Sequence, residues 1–201
     1  MKKIIIAVLF IGMTSLWLFR YYKINDGFAV HGIFPEVECQ MNQKIEFGEN
    51  KSYNVIEQPG YAISVDSARI IDAVDYLKEL DMTADQFEYL SEKYLELTLT
   101  VYNTGDYPEG LSFYGLPVVG ANWYTFYDNQ VTACINPFFE RNFDIANGCA
   151  VTKGSSATVK IAYNLYADLF LPNQWNNIEK EEMWLWATIK PVDTKVKIQI
   201  S

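Results

Sequence analysis

The chain has a single histidine, His31, in 201 residues, and no CxxC pair. A Ser-His-Asp or Cys-His mechanism needs an imidazole held against a nucleophile by a third group. His31 lies in an irregular stretch eight residues before Cys39, with no G-x-S-x-G elbow anywhere, and reads as an exposed linker side chain. Zinc chemistry lacks its Cys and His ligands. No phosphate loop, G-x-G-x-x-G fingerprint or H-E-x-x-H motif is present. The acids Asp72, Asp75, Glu79, Asp81 and Asp85 cluster, but without the order or the closing Glu of an EF-hand, and read as a solvated loop. The expectation is no catalytic residue, no metal and no cofactor.

Basic residues are scarce beyond the first 23. Lys2, Lys3, Arg20 and Lys23 precede the first acid, Asp26. Residues 24–201 therefore hold 12 of the 16 bases and all 25 acids, a net charge of −13. A body this acidic repels phosphates and anionic headgroups, which argues against a nucleic-acid partner.

Charge is absent from Ile4 to Phe19, a 16-residue apolar run flanked by lysines on one side and Arg20-Tyr21-Tyr22-Lys23 on the other. As a helix it reaches ~24 Å against a hydrocarbon layer of ~30 Å. Trp17, Tyr21 and Tyr22 suit the interface, and Arg20 can snorkel. No A-x-A-like cleavage site follows Phe19, so an uncleaved signal anchor is favoured over a cleaved signal peptide. Residues 1–23 are thus expected to anchor the chain in lipid through residues 4–19. The positive N-terminal tail favours N-in topology, placing the body outside the cytoplasm.

Three cysteines leave one over. Cys134 and Cys149 enclose 14 residues rich in turn formers, and a bridge there would contribute ~3 kcal/mol in the chain-entropy treatment. Unbridged thiols are the other reading, and both stay open.

Residues 24–43 mix Gly, Pro and polar residues with isolated hydrophobes, as a tether would. From residue 44 onward, period-two alternation dominates. Leu95, Leu97, Leu99 and Val101 share one face of Lys93–Asn103, and Glu96, Thr98, Thr100 and Tyr102 the other, wet one. Tyr61–Ile71 carries a phase break around Ser67–Arg69, as a bulge produces. Ala157–Leu165, Met183–Ile189 and Lys195–Ile200 also alternate. Shorter strands are expected at Lys44–Phe47, Tyr53–Ile56, Leu111–Tyr114, Trp123–Tyr127 and Val131–Ile135. Thr83–Glu92 opens with a potential N-cap and predicts a short inserted helix. Seven or more short strands point to an all-β, antiparallel sandwich over residues 44–201.

Aromatics concentrate between residues 122 and 143. Trp123, Tyr124, Phe126, Tyr127, Phe138, Phe139 and Phe143 stand among Asn122, Asn129, Asn136 and Asn142. Rings supply contact area and amides supply direction, the combination a glycan- or peptide-binding surface uses. Candidate binding residues are therefore Trp123, Tyr124, Tyr127, Phe138 and Phe139. Alternation sets Trp123, Thr125 and Tyr127 on the opposite face from Tyr124 and Phe126, so part of this set fills the core.

The segments YAISVDSARI and YLELTLTVYNTGD resemble those of immunoglobulin-like (telokin-like) extracytoplasmic domains in uncharacterised Gram-positive membrane proteins and lipoproteins. There a V-x-S-A-x strand is followed by an insert and an L-x-V-x-N-T-G strand. The resemblance covers residues 55–200, implies an Ig-like sandwich at the cell surface, and transfers no catalytic residue. This chain departs from it by lacking a lipid-attachment cysteine after the leader and by a longer aromatic insert between Leu111 and Gly148.

The functional expectation is a non-enzymatic, single-pass surface domain that binds a protein or glycan partner. Two alternatives stand beside it. One is an envelope carbohydrate hydrolase working through a carboxylate pair, and the other is a structural spacer or accessory subunit of a membrane complex.

Overall fold

The computed structural model describes residues 10–21, 34–87, 89–105, 110–136 and 149–201. The chain divides into two units, Met1–Pro35 and Glu36–Ser201. In the first, residues 10–21 form helix α1, on which the Trp17 and Tyr21 rings stack at 5.5 Å. Among the described residues no helix is long and apolar enough to cross a membrane. Residues 4–9 of the expected span, and His31, lie outside the described residues.

The second unit is built from two β-sheets. Strands β2 (Ile45–Glu46), β3 (Tyr61–Asp72), β4 (Lys93–Asn103) and β7 (Ser155–Leu165) form an antiparallel sheet in the order β2-β3-β4-β7. Strands β1 (Glu36–Gln40), β5 (Val118–Gly120), β6 (Tyr124–Thr125), β8 (Met183–Thr188) and β9 (Asp193–Lys197) form the other, in the order β1-β9-β8-β5-β6. The alternation read from the sequence sends Ile63, Val65, Leu95, Leu97, Leu99, Val101 and Ile161 inward from the first sheet. They meet Val118, Met183, Leu185, Ala187 and Val196 from the second in one core. Each of these buried Val, Leu, Ile and Met side chains stabilises the fold by about 1.5–3 kcal/mol, and the Ala187 methyl by less.

Several expectations are corrected. The sandwich is not wholly antiparallel, because β1 runs parallel to β9. Strand β1 lies inside the stretch read as a tether, whose acids and glutamine hid a short edge strand. The bulge falls between Val65 and Ser67, where Asp66 accepts hydrogen bonds from Ser64 and Thr100 at 2.7 and 2.6 Å.

The inserted helix comes one segment earlier than expected. Helix α2 (Ala73–Glu79) occupies part of the acidic stretch, and Thr83–Glu92 contributes only a 3-10 turn, Ala84–Gln86. Ala73, Tyr76 and Leu77 share its buried face, at the i, i+3, i+4 spacing of an amphipathic helix. Asp81, in the left-handed region at φ 55, ends it, with Met82 N–H reaching Leu77 O and Asp81 N–H reaching Lys78 O.

Val131–Ile135, expected as a strand, is helix α3 (Asn129–Ile135). The Asp128 carboxylate caps it by accepting from Val131 N–H at 2.9 Å, which overrides the local β propensity. This helix covers the outer edge of β7. The Asn136 amide pairs with both Lys160 backbone groups, and Thr132 Oγ1 accepts from Ala162 N–H. Together with α2 it buries Tyr94 and Glu96 on the face of β4 that was expected to be wet.

Tyr53–Ile56 and Leu111–Tyr114 give 3-10 turns at Tyr53–Val55 and Phe113–Gly115 rather than strands, with a single bridge at Leu111. No disulfide joins Cys134, exposed on α3, to Cys149, which is buried beside Leu111.

Candidate binding surface

The two sheets differ in what lies on their outer faces. That of the β3-β4-β7 sheet is covered at one end by α2 and α3. There Glu96 is 5% exposed and bonded to Arg69, Tyr76 and Lys160. Burial pushes its carboxyl up, but the bonds from Arg69 and Tyr76 and the charges of Arg69 and Lys160 outweigh this and hold it below the ordinary range. A carboxylate shifted below its ordinary range is a poorer general acid than a free one, and its neighbour Glu79 is bound by the same Arg69.

The β1-β9-β8-β5-β6 sheet carries its tryptophans outward. In Met183–Thr188 the apolar Met183, Leu185 and Ala187 go to the core, which leaves Trp184 and Trp186 on the opposite face, half-buried. Register then aligns two rows across the strands. One runs Gln40, Lys197, Trp184, Val119, Tyr124. The other runs Glu38, Lys195, Trp186, and reaches Pro117 through the bond from Trp186 N–H to Pro117 O.

The lysines lie over the indoles, Lys195 at 5.9 Å from the Trp186 centroid and Lys197 at 6.0 Å from that of Trp184. Both are paired with acids, Lys195 with Glu36 at 2.7 Å and Lys197 with Glu182 at 2.6 Å. Partial burial alone would lower the Lys195 pKa, yet Glu36 and Asp193 raise it above its ordinary value. The Trp186 indole N–H donates to Asp193 at 2.6 Å, which fixes the ring.

Beside these rows the chain crosses between sheets. Tyr124 pairs with β5, and one residue later Thr125 Oγ1 donates to Asn164 O on β7. This crossing buries Trp123, Thr125 and Tyr127 and turns Tyr124 and Phe126 outward, as the alternation requires. Phe126 is the hub of a surface cluster. Tyr114 stacks on it at 5.4 Å and 12°, Tyr124 meets it edge-on at 5.7 Å, and Tyr53 lies 5.3 Å away. Tyr114 and Tyr124 are 50% and 59% exposed, so their rings are open to a partner.

Between the Trp186 row and this cluster is a pocket of about 400 Å³. It is lined by Tyr53, Pro117, Val119, Gly120, Ala121, Asn122, Trp123, Tyr124 and Trp186. The volume is that of a small-molecule site. None of these lining residues is charged.

Of the residues expected to bind, Tyr124 stands at the rim of this surface. Trp123 is 6% exposed, packed on Phe170 at 4.8 Å, and reaches the pocket only as part of its lining. Tyr127 faces the core, edge-on to Phe113, and burial pushes its hydroxyl up to about 12. Phe138 and Phe139 lie outside the described residues. Sequence reasoning missed Tyr53, Tyr114, Phe126 and Trp186 as partners. The alternation of Met183–Ile189 did place two tryptophans away from the core, and that signal could have found Trp186. Tyr53 and Tyr114 come from turns far apart in the chain, which no local pattern connects.

The acids Asp72, Asp75 and Glu79 are engaged by Lys93, Lys78 and Arg69. Among the described residues no three His, Cys, Asp or Glu side chains converge on a metal-sized site.

No curated protein matches this chain, and no solved structure does. A family described as a domain of unknown function, DUF5028, matches residues 36–194, from the start of β1 into β9. The chain belongs to the DUF5028 family.

Proposed function

We propose that this protein is a membrane-tethered, extracytoplasmic binding domain without catalytic activity, and that its ligand seats on the outward aromatic face of the β1-β9-β8-β5-β6 sheet. The observation that carries the reading is the continuity of rings around one uncharged pocket, with Tyr53, Tyr124 and Trp186 all lining it. Rigid aromatic rings give large contact area at low conformational cost, and tyrosines add a polar rim. Two facing sheets and the long antiparallel strands support an Ig-like sandwich as the scaffold. The uncharged run Ile4–Phe19 and its basic flanks support an N-terminal anchor with the acidic body outside the cytoplasm.

The hydrolase alternative calls for two carboxylates in one cleft, one of them raised in pKa. The aromatic pocket has no carboxylate in its lining, and Glu96 is shifted the other way. Two experiments test the proposal. Protease treatment of intact cells, with a mass measurement of the mature N-terminus, reports sidedness and cleavage. Capture of isolated cell-envelope material by the full-length chain should be lost with Trp186→Ala plus Tyr124→Ala, while circular dichroism stays unchanged. Undiminished capture by the folded double variant rejects the aromatic face.

A further inference from the structure

We propose that the N-terminal half of β7 is a self-pairing edge, at which two copies of this chain join their β2-β3-β4-β7 sheets through an antiparallel β7–β7 contact centred on Ala157. The contact belongs to the sheet that does not carry the aromatic face, and it stands independently of the binding reading above.

An open strand edge is a template for another chain, and folded proteins blunt it with charge, brevity or cover. Three of the four sheet edges are blunted. β1 carries Glu36 and Glu38, and its Gln40 N–H is taken by Gln43 Oε1 at 2.7 Å. β2 and β6 are each two residues long. β7 is covered only toward its C-terminal end. There the outward N–H and C=O of Lys160 bond to the Asn136 amide, those of Ala162 to Thr132 Oγ1 and Asp128 N–H, and those of Asn164 to Phe126 O and Thr125 Oγ1. The pairing of β7 with β4 has no register shift, so outward groups recur at every second residue, and the next are those of Thr158 and Ser156. Among the described residues neither has a partner for its outward N–H and C=O. Ser155, Ser156 and Thr158 are exposed, and Ser155–Val159 holds no charge and no proline.

The ends of this window select the occupant. Lys160 is closed by Asn136, and at the other end Gly154, at φ +75, turns the chain toward β4, where Asn103 O accepts its N–H. Two outward residues are left, Ser156 and Thr158, spaced two apart. A two-fold axis at Ala157 sets Ser156 of each copy opposite Thr158 of the other, as hydrogen-bonded pairs, and the four bonds use every open group. Any other antiparallel self-register leaves one of them facing Gly154 or Lys160, whose groups are taken. Charge agrees with this register. Lys160 falls opposite Gly154 of the second copy, where nothing lies within 4 Å of an added Cβ, and Lys153 falls opposite Ile161, so no like charges face each other. The same operation on β1 would set Glu38 against Glu38. The hydroxyls of Ser156 and Thr158 meet across the contact, a favourable cross-strand pair. Five residues span only ~17 Å, short of what a stable interface buries, so the dimer is weak and depends on concentration.

The test is sedimentation equilibrium of the full-length chain in detergent micelles at rising concentration. A monomer–dimer equilibrium is expected, weakened at least tenfold by Thr158→Pro, which removes an N–H that bonds nothing within the monomer. Should proline disturb the fold, Ser156→Lys with Thr158→Lys, at two exposed positions, sets like charges directly opposite and should weaken it to the same degree. Disulfide trapping reads the register, in a chain carrying Cys39→Ser, Cys134→Ser and Cys149→Ala. Ala157→Cys should form a cross-linked dimer, because the two Cα atoms stand about 4.5 Å apart across the axis. Ser155→Cys should not, because its two copies are about 14 Å apart, although it is the more exposed residue and chance collision would favour it. A chain monomeric at its highest soluble concentration overturns the proposal, as does a dimer that the lysine pair leaves intact or cross-linking through Ser155→Cys equal to that through Ala157→Cys. A chain that stays monomeric while the lysine pair abolishes its capture of envelope material assigns the edge to a foreign strand, and the second copy is then wrong.

Discussion

Tyr76 on α2 donates its phenolic proton to Glu96 on β4 at 2.6 Å, and the same carboxylate holds Arg69 on β3 and Lys160 on β7. Three strands and a helix thus meet on one buried charge. Glu96→Gln should destabilise the domain by about 1–3 kcal/mol, below the full cost of breaking a buried pair, because Arg69 and Lys160 still reach water. Tyr76→Phe should cost about 1 kcal/mol, one hydrogen bond to a charged group less its solvation. Urea unfolding of each variant measures both.

The same carboxylate predicts an acid limit. Its folded pKa is depressed from an ordinary value of 4.5, so on acidification the unfolded state takes up the proton first. The Glu96 contribution is therefore present above about pH 4.5 and is lost as pH falls further. The Tm gap between the native chain and Glu96→Gln should narrow from pH 6 to pH 3. A constant gap would detach Glu96 from the acid transition.

At the alkaline end the sign reverses. Burial pushes the Cys149 thiol up to about 12 from an ordinary 9.0, and Tyr94 and Tyr127 up to about 12 from 10.0. In the unfolded chain these groups lose protons first, so stability falls as pH rises from about 9 toward 12. Cys149→Ala should reduce the slope of Tm against pH between 9 and 10, where the tyrosines contribute least.

Gly60 and Gly105 pass backbone to backbone. A Cβ on Gly105 would lie 2.7 Å from the Gly60 Cα, and one on Gly60 would lie 2.5 Å from the Gly105 Cα. Neither neighbour is a side-chain end that could swing away, so Gly105→Ala should cost about 1–3 kcal/mol. Gly60→Ala should cost more, since Gly60 also has φ +77. Gly154→Ala, with a similar φ of +75 but open space around it, isolates the backbone part.

Val55 is a β-branched residue at φ 64, 46% exposed, in the turn that carries Tyr53. That conformation costs about 1–2 kcal/mol for a side-chain-bearing residue. Val55→Gly should raise stability by about 0.5–1 kcal/mol after the entropy of glycine is subtracted, readable as a higher urea midpoint.

The long strands were legible because their burial is one-sided and local: Leu95, Leu97, Leu99 and Val101 announce their face without help from the rest of the chain. Segments whose structure depends on distant partners were not. Val131–Ile135 has strand propensity, and the cap from Asp128 together with the edge of β7, some thirty residues later, makes it a helix. β1 exists only because β9, at the other end of the chain, pairs with it. The functional surface follows the same rule. Tyr124 could be read from alternation within its own strand, whereas Tyr53, Tyr114 and Trp186 converge on it only through the crossing of two sheets.

The account stands on the outward aromatic face being where ligand sits, and hydroxyl-radical footprinting of the full-length chain, with and without cell-envelope material, addresses this most directly. Protection of Trp184, Trp186, Tyr114 and Tyr124 is expected, with Tyr89, 74% exposed and outside both aromatic rows, labelled equally in both states. Protection confined to Tyr89 and Val74, with the tryptophans unchanged, would contradict it.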